Sequence, residues 1–370
     1  MARTRNEVAI KLCGMVNTFS PRILVIAIRA IGDIVLITPL VSLLKKHYPS
    51  GYLAVLADGS TVEALKHNPH IDQIIPINRV QSKQQSWLKQ GARWLNLVAD
   101  LRNERFEVVV DVFSGSRSAI LTYLSGATDR YGEDFRIHGR GYLYNHPIKI
   151  CRDGRHLIEQ KMDLIQPFIG QVELRDAVLE LYLTDQERSQ GQKILSGIGN
   201  ETKKRIGLIP SAGSKWRIWP SERFAELGDA LGEIYGAEII LLGGGDDVSI
   251  CQQIGALMRT KPLDLSGKIT LRELMAVLAK LDLVIANVTG PMHLAVAVSQ
   301  PKVIGLYGAA DTVQYAPWGA QGIMLTKGTP QDAYWDKVDY QKDYDILCQI
   351  TVADVLHKVR SVMSDWCVCP

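Results

Sequence analysis

The sequence predicts an α/β protein made of two Rossmann-like domains, each a parallel sheet covered by helices, facing one another across an interdomain cleft. Three observations predict it. Short apolar runs such as Val108–Val112 and Leu283–Ala286 have the length and continuity of strands buried on both faces. Helix-length segments bounded by Gly or Pro alternate with these runs, as a doubly wound sheet requires. The alternation completes one cycle, passes through the polar, Gly-bearing stretch Ser196–Arg205, and begins again. A length of 370 residues suits two such units.

In the first cycle, Arg22–Ile28 reads as a strand and Ile31–His47 as a helix. Leu53–Ala57 and Gln73–Ile77 follow as strands, then Gln81–Arg105 as a polar, Trp-bearing helical stretch. Val108–Val112 is a strand, Ser116–Ser125 a helix, and a short strand lies near Arg130. The second cycle gives strand Ile206–Pro210, helix Ser221–Tyr235, strand Glu238–Leu242 and helix Asp246–Arg259. Helix Leu271–Leu281 leads into Asp282–Gly308, a βαβ unit: strand Leu283–Ala286, a turn ending in Thr289-Gly290-Pro291, a helix from Met292, and strand Lys302–Leu306. A last helix, Val352–Met363, follows a loop rich in aromatics and acids, Tyr334–Tyr344. The expected division is an arm (1–21), a first domain (22–185), a connection (186–204), a second domain (205–350) and a C-terminal helix with its tail (351–370).

Composition narrows the class. Hydrophobic residues at 46% and charged residues at 22% are those of a soluble globular protein with ample core. A net charge of +3 is too small to argue for a nucleic-acid partner. The six cysteines are scattered apart from Cys367 and Cys369, which points to a reducing, cytoplasmic compartment rather than a disulfide scaffold. Cys367 and Cys369 lack a second ligand pair, so they read as part of a tail and no metal site is expected. No run reaches the roughly 18 apolar residues of a membrane span. The N-terminus lacks the apolar core of an export signal, and Glu7–Phe19 reads either as an amphipathic surface helix or as a packing arm.

Chemistry is expected where strands end and helices begin. In Arg29-Ala30-Ile31-Gly32-Asp33, Gly32 allows close backbone approach. Asp33 is either a first-turn acid complementing its helix or a general base facing the cleft. In Ser211–Pro220, the hydroxyls of Ser211 and Ser214 and the guanidinium of Arg217 suit a diphosphate, since Arg binds phosphate bidentately. Gly243–Asp247 follows a strand and opens a helix, but Val248 breaks the dinucleotide fingerprint. Asp246 and Asp247 there either reach ribose hydroxyls or cap the helix. Thr289 and Gly290 place a hydroxyl and free amides at a helix start, a ready anion site. His293 reads as a structural residue before a catalyst. Arg130–His156 carries Arg130, Arg136 and Arg140 among other cations, read as a solvated face or as a contact for an acidic acceptor.

Taken together, these segments resemble the heptosyltransferase family of inverting glycosyltransferases (family 9). The likeness covers Arg22–Arg360 and rests on ILVIAIRAIGDIVLITPL, on Arg217–Ala225 and on NVTGPMHLAVAV, in matching order and spacing. It implies the GT-B fold, with the acceptor in the first domain, a nucleotide-sugar in the second, and a C-terminal helix crossing back to the first domain. Asp33 matches the family's proposed base, and Arg29, Gly32, Arg130, Arg136 and Arg140 would line the acceptor side. Arg217 stands where the family usually has Lys at the donor phosphates. Thr289, Gly290 and the amides of Met292 and His293 match the diphosphate-binding turn, with Ser211 and Ser214 opposite. Leu265, Ser266, Gly267 and Thr270, with Asp246, would hold the nucleoside, largely through backbone groups.

One position departs from the pattern: the family commonly has Asp before Thr-Gly, and here it is Val288. An apolar side chain contacts no sugar hydroxyl and holds no divalent ion, so the case for magnesium is weak and no cofactor is expected. The resemblance implies transfer of heptose from ADP-heptose to a lipopolysaccharide core or other cell-envelope glycan, with a protein acceptor as a variant. It also implies a cytoplasmic enzyme docking at the inner membrane. The rival readings are a nucleotide-sugar epimerase on the same fold and a degenerate nucleotide-sugar-binding protein without turnover.

Overall fold

A computed structural model of the chain describes residues 20–77, 87–135, 139–152, 154–196, 203–298, 301–309, 312–329, 339–364 and 366. Residues 7–19, Arg136, Cys367 and Cys369 therefore lie outside the described residues. The first sheet contains β1 (Arg22–Ala27), β2 (Tyr52–Asp58), β3 (Gln73–Ile77), β4 (Val108–Asp111), β5 (Asp129–Glu133) and β6 (His146–Ile148). The second contains β7 (Arg205–Ile209), β8 (Glu238–Leu241), β9 (Leu263–Asp264), β10 (Leu283–Asn287), β11 (Lys302–Tyr307) and β12 (Gly322–Thr326). Every pairing is parallel, and the orders are β3-β2-β1-β4-β5-β6 and β12-β11-β10-β7-β8-β9. Counted from its own first strand, each sheet has the same winding, with the reversal between β1 and β4 and between β7 and β10. Ligands bind beyond the carboxyl ends of such strands.

The helices are α1 (Ile31–Leu36), α2 (Thr38–His47), α3 (Trp87–Asn103), α4 (Ser116–Leu124), α5 (Leu157–Met162), α6 (Gln166–Ile169) and α7 (Asp185–Ser196) in the first part. In the second they are α8 (Ser221–Tyr235), α9 (Val248–Leu257), α10 (Leu271–Leu278), α11 (Gly290–Ala297), α12 (Tyr340–Leu347) and α13 (Val352–Val362). Strand alternation feeds two cores in the first domain. Leu24 and Ile26 of β1 pack with Leu101 and Leu121, while Ile23 and Val25 pack with Leu40 and Leu44. This covering of both faces explains why the strands read as continuous apolar runs. The second core is continuous across the cleft, taking in Ile34 of α1 and Met292 and Leu294 of α11.

Several expectations change. The helix expected over Ile31–His47 is two helices, broken at Ile37, with Pro39 in the first turn of α2. Proline lacks an N–H, so a restart at that point leaves no intrahelical donor unmet. The connection 186–204 is largely α7, which docks on α10. Gly191 of α7 leaves no room for a Cβ against the backbone of Ala276. The described C-terminal helix does not cross to the first domain. Val355 and Val359 of α13 join Phe224, Leu231 and Ile239 in the core of the second. Strands β6, β9 and β12 and helices α5, α6 and α12 were not anticipated, and α12 begins inside the segment read as a loop. Among the described residues, no helix is long and apolar enough to cross a membrane.

Candidate active site

The carboxylate expected on the acceptor side is placed by β1. The strand ends at Ala27, and Asp33 falls in the first turn of α1, where the helix field favours a negative charge. The residue is 8% exposed, and the Nε of Arg29 donates to its Oδ2 at 3.0 Å. A second carboxylate, Asp111 at the end of β4, is fully buried. It accepts from the amide of Ser114 at 2.8 Å and from the Tyr144 hydroxyl at 2.8 Å. Burial pushes its carboxyl up to about 6 against these bonds. Asp111 is therefore sealed inside the domain, while Asp33 stands at the cleft.

Across the cleft, β7 and β10 present two loops, and one buried side chain ties them together. Asn287, at the end of β10 and 0% exposed, donates from Nδ2 to the Pro210 carbonyl at 2.6 Å. Its Oδ1 accepts the Trp219 amide at 3.2 Å. Both ends of the Ser211–Trp219 loop are thus fixed to the strand that leads into the Thr289-Gly290 turn. Within the loop, Ser214 precedes a short 3-10 turn, Lys215–Arg217, whose Arg217 amide donates to the Ser214 carbonyl at 3.0 Å. Helix α12 braces this turn, with Tyr344 set edge-on to Trp216. Neither the Ser211 nor the Ser214 hydroxyl makes a side-chain hydrogen bond among the described residues, and Thr289 makes no capping bond to α11.

In the Thr289 turn, the expectation for Met292 and His293 concerns their backbone amides. Their side chains are buried, at 0% and 3% exposure, which leaves only backbone groups for a ligand contact. The Met292 amide donates to the Thr289 carbonyl at 3.2 Å, and Pro291 has no N–H. Of the groups expected to meet a diphosphate here, the Met292 amide is engaged within the turn, while the Thr289 hydroxyl is left without a capping bond. Burial pulls the His293 ring down to about 3, so it stays neutral, and its Nδ1 has no partner among the described residues. Val288 is buried in the shared core and offers the cleft no polar group.

Beyond β8 and β9, the loops Gly243–Asp247 and Leu265–Thr270 lie together. The Gly267 amide donates to the Gly243 carbonyl at 3.1 Å, and Gly267 takes φ +66. The Leu265–Thr270 loop is expected to hold a nucleoside largely through backbone groups, and its side chains are mostly engaged in local bonds. Ser266 donates to Asp264 at 2.6 Å, and Thr270 caps α10 with Glu273. Asp247 accepts the Gly244 amide at 2.8 Å, the capping alternative, whereas Asp246 is exposed. Leu265 is buried.

The two halves are locked at their closest approach. A Cβ on Gly32 would lie 3.1 Å from the Cα of Gly290 and 3.3 Å from Cδ2 of His293. Close by, the Nε2 of His156, before α5, meets the Ala316 carbonyl at 3.0 Å, and its Nδ1 accepts the Ile158 amide at 3.1 Å. That pair of bonds fixes the neutral tautomer with the proton on Nε2, and burial pulls the ring down to about 4. The Leu157 amide donates to the Gln314 carbonyl at 3.0 Å.

On the acceptor side, the expected cations divide. Arg29 pairs with Asp33. Arg130 is removed from the site: its guanidinium donates to the Ala127 carbonyl at 2.7 Å and the Leu143 carbonyl at 3.2 Å, pinning the loops around β5. Arg140 lies over Phe135, with Arg152 over the same ring. Asn287 escaped the sequence reading, although a polar residue closing an apolar strand just before a ligand turn was a usable signal. Lys161, on the unanticipated helix α5, gave no such signal.

The sequence model of the family described as glycosyltransferase family 9 (heptosyltransferase) matches residues 94–344. Lipopolysaccharide heptosyltransferase 3 of Escherichia coli is 26% identical over 339 residues, 90% of this chain and 96% of that protein. A solved glycosyl transferase family 9 protein from Veillonella parvula DSM 2008 superposes with a TM-score of 0.81 at 25% identity, covering 93% of this chain and 98% of the other. E. coli ADP-heptose lps heptosyltransferase II superposes with a TM-score of 0.77 at 21% identity, covering 93% of this chain and 99% of that one. The expected two-domain GT-B architecture is the one these structures share.

Proposed function

From the premise that this chain belongs to glycosyltransferase family 9, the heptosyltransferases, we propose that it transfers heptose from ADP-heptose to a lipopolysaccharide core acceptor, with inversion at the anomeric carbon. The observation that carries the reading is the contact of Gly32 with Gly290. Each glycine neighbours a functional group in sequence, Asp33 on one side and Thr289 on the other. The contact therefore brings a carboxylate and an anion-binding turn to opposite sides of one narrow space.

Asp33 accepts the proton of the acceptor hydroxyl as that oxygen attacks the anomeric carbon from the face opposite the leaving group. The bond from the anomeric carbon to the β-phosphate oxygen breaks, and its electron pair leaves with ADP. Arg217, the Ser211, Ser214 and Thr289 hydroxyls and the Gly290 amide meet the charge that develops on the diphosphate. Donors fixed in advance on developing charge supply the largest part of most enzymatic rate enhancements. Charge compensation by Arg217 leaves no step that needs a metal ion. Val288 leaves recognition of the sugar to other groups of the cleft. A lipopolysaccharide acceptor is lipid-anchored, so the reaction takes place at a membrane surface.

Calorimetric titration with ADP, UDP, GDP and CDP, with and without magnesium, tests the donor. Selective ADP binding that persists in chelator is expected. Preference for another nucleotide, or an absolute need for the metal, overturns this donor assignment.

A further inference from the structure

Among the described residues, Lys161 is a buried lysine without a counter-ion. It lies on α5, one turn beyond His156, the residue that pins this helix to the second domain. The residue is 5% exposed, and among the described residues its ammonium makes no ion pair and no hydrogen bond. Its one close neighbour of note is the ring of Phe113, with Nζ 4.7 Å from the centroid. Arg29, the partner of Asp33, lies over the same ring, its Cζ 5.4 Å from the centroid. One aromatic ring thus links Lys161 to the catalytic carboxylate's own cation.

Three carboxylates attract the Lys161 ammonium, those of Glu133, Asp33 and Asp111, and the Arg152 guanidinium repels it. Each already has a partner: Arg152 for Glu133, Arg29 for Asp33, and Tyr144 with Ser114 for Asp111. The attraction of these acids keeps the amine charged in spite of burial, which pulls it down to about 8. An ammonium held largely out of water without its own hydrogen-bonded anion is costly, and what little exposure Lys161 keeps leaves room for an anion to reach it. This one lies on the acceptor side, grouped with Asp33 and Phe113 beyond the carboxyl ends of β1 and β4.

We infer that Lys161 is an acceptor-recognition residue, whose ammonium takes an anionic group of the acceptor, a carboxylate or a phosphate, and so sets the attacking hydroxyl beside Asp33. The inference rests on the glycosyltransfer reading above and extends it to a residue outside the segments that carry the family likeness. A charged acceptor group completes the pairing that the protein leaves open, and it supplies specificity because a neutral acceptor leaves the buried ammonium unmatched.

The test compares the full-length wild type with Lys161→Met, which keeps the stem and removes the charge, and with Lys161→Arg, which keeps the charge. Kinetics are measured with ADP-heptose and a heptose-accepting lipopolysaccharide core oligosaccharide, then with the same oligosaccharide dephosphorylated, and with it carboxyl-reduced. Lys161→Met is expected to raise the acceptor KM about 10- to 100-fold while the donor KM changes less than about twofold. The wild type is expected to lose a similar factor on one of the two altered acceptors, which identifies the anion as phosphate or carboxylate. Lys161→Met loses nothing further on that acceptor. An unchanged acceptor KM in Lys161→Met, or equal losses for wild type and variant on both altered acceptors, overturns the assignment. If Lys161→Met does not fold, Lys161→Arg carries the test: an acceptor preference identical to the wild type's and indifferent to both anions overturns it equally. A wild type that transfers no heptose to any acceptor refutes the reaction itself, an outcome distinct from an active wild type whose Lys161 variants behave normally.

Discussion

Gly32 and Gly290, one from each domain, meet backbone to backbone. A Cβ on Gly290 would lie 3.0 Å from the Gly32 amide nitrogen and closer still to the Ile31 side chain. Neither glycine takes a positive φ, so what both provide is close approach and not an unusual backbone conformation. Their contact sets the distance between Asp33 and the Thr289 turn.

Gly290→Ala should therefore act on the domain spacing. The new methyl group meets first the Cγ2 of Ile31, a β-branched side chain with little freedom to turn away, and then the Gly32 backbone. A misplacement near 1 Å costs about 100-fold in rate, and kcat/KM should fall by that order while the protein remains folded. Steady-state kinetics beside a circular-dichroism melt would check it. Activity within twofold of the wild type would mean that the two helix starts need not touch during turnover.

Asn287→Ala should weaken both stability and donor binding. It leaves the Pro210 carbonyl and the Trp219 amide without their buried partner, a loss of about 2–4 kcal/mol. Urea denaturation would read the stability, and the donor KM should rise because the Ser211–Trp219 loop loses its anchor to β10. A stability loss with an unchanged donor KM would confine Asn287 to the fold.

The two buried histidines predict a pH dependence of stability. Unfolded, each takes up a proton near pH 6.5; folded, His156 does so only near 4 and His293 near 3. The unfolded chain thus binds more protons, and stability falls as pH drops below 6.5, by about 1.4 kcal/mol per pH unit for each ring. Asp111 works the other way: its folded carboxyl takes up a proton near 6 against 3.8 unfolded, offsetting one of the two below pH 6. The net loss between pH 6.5 and 4.5 should be on the order of 3 kcal/mol. Glu187, held down to about 2 by Arg272, adds its own loss only below about 4.5. Denaturant midpoints at pH 7, 6 and 5 would measure the trend; a flat profile would refute it.

The architecture was legible in the sequence because strands buried on both faces leave continuous apolar runs, as in Leu283–Ala286. Asp33 and Thr289 stand out in the sequence because helices start there, directly after such runs. The short edge strands β6 and β12 were not, since three to five half-buried residues carry little periodic signal. The fate of Arg130 was not legible either: only the folded loops bring the Ala127 and Leu143 carbonyls to its guanidinium. Thr270 and Ser266 have the hydroxyls a nucleoside site would use, but local capping and turn bonds claim them first. Lys161 became visible only when α5 placed it next to Phe113.

The most direct measurement is the turnover of Asp33→Asn with ADP-heptose and a heptose-accepting lipopolysaccharide core, alongside its calorimetric affinity for ADP. The amide keeps the shape of the side chain but cannot take up the acceptor proton. A fall in kcat of about 10²–10⁴ with unchanged ADP affinity is predicted. Full turnover by a folded Asp33→Asn enzyme would contradict the assignment of Asp33 as the base and with it the proposed mechanism.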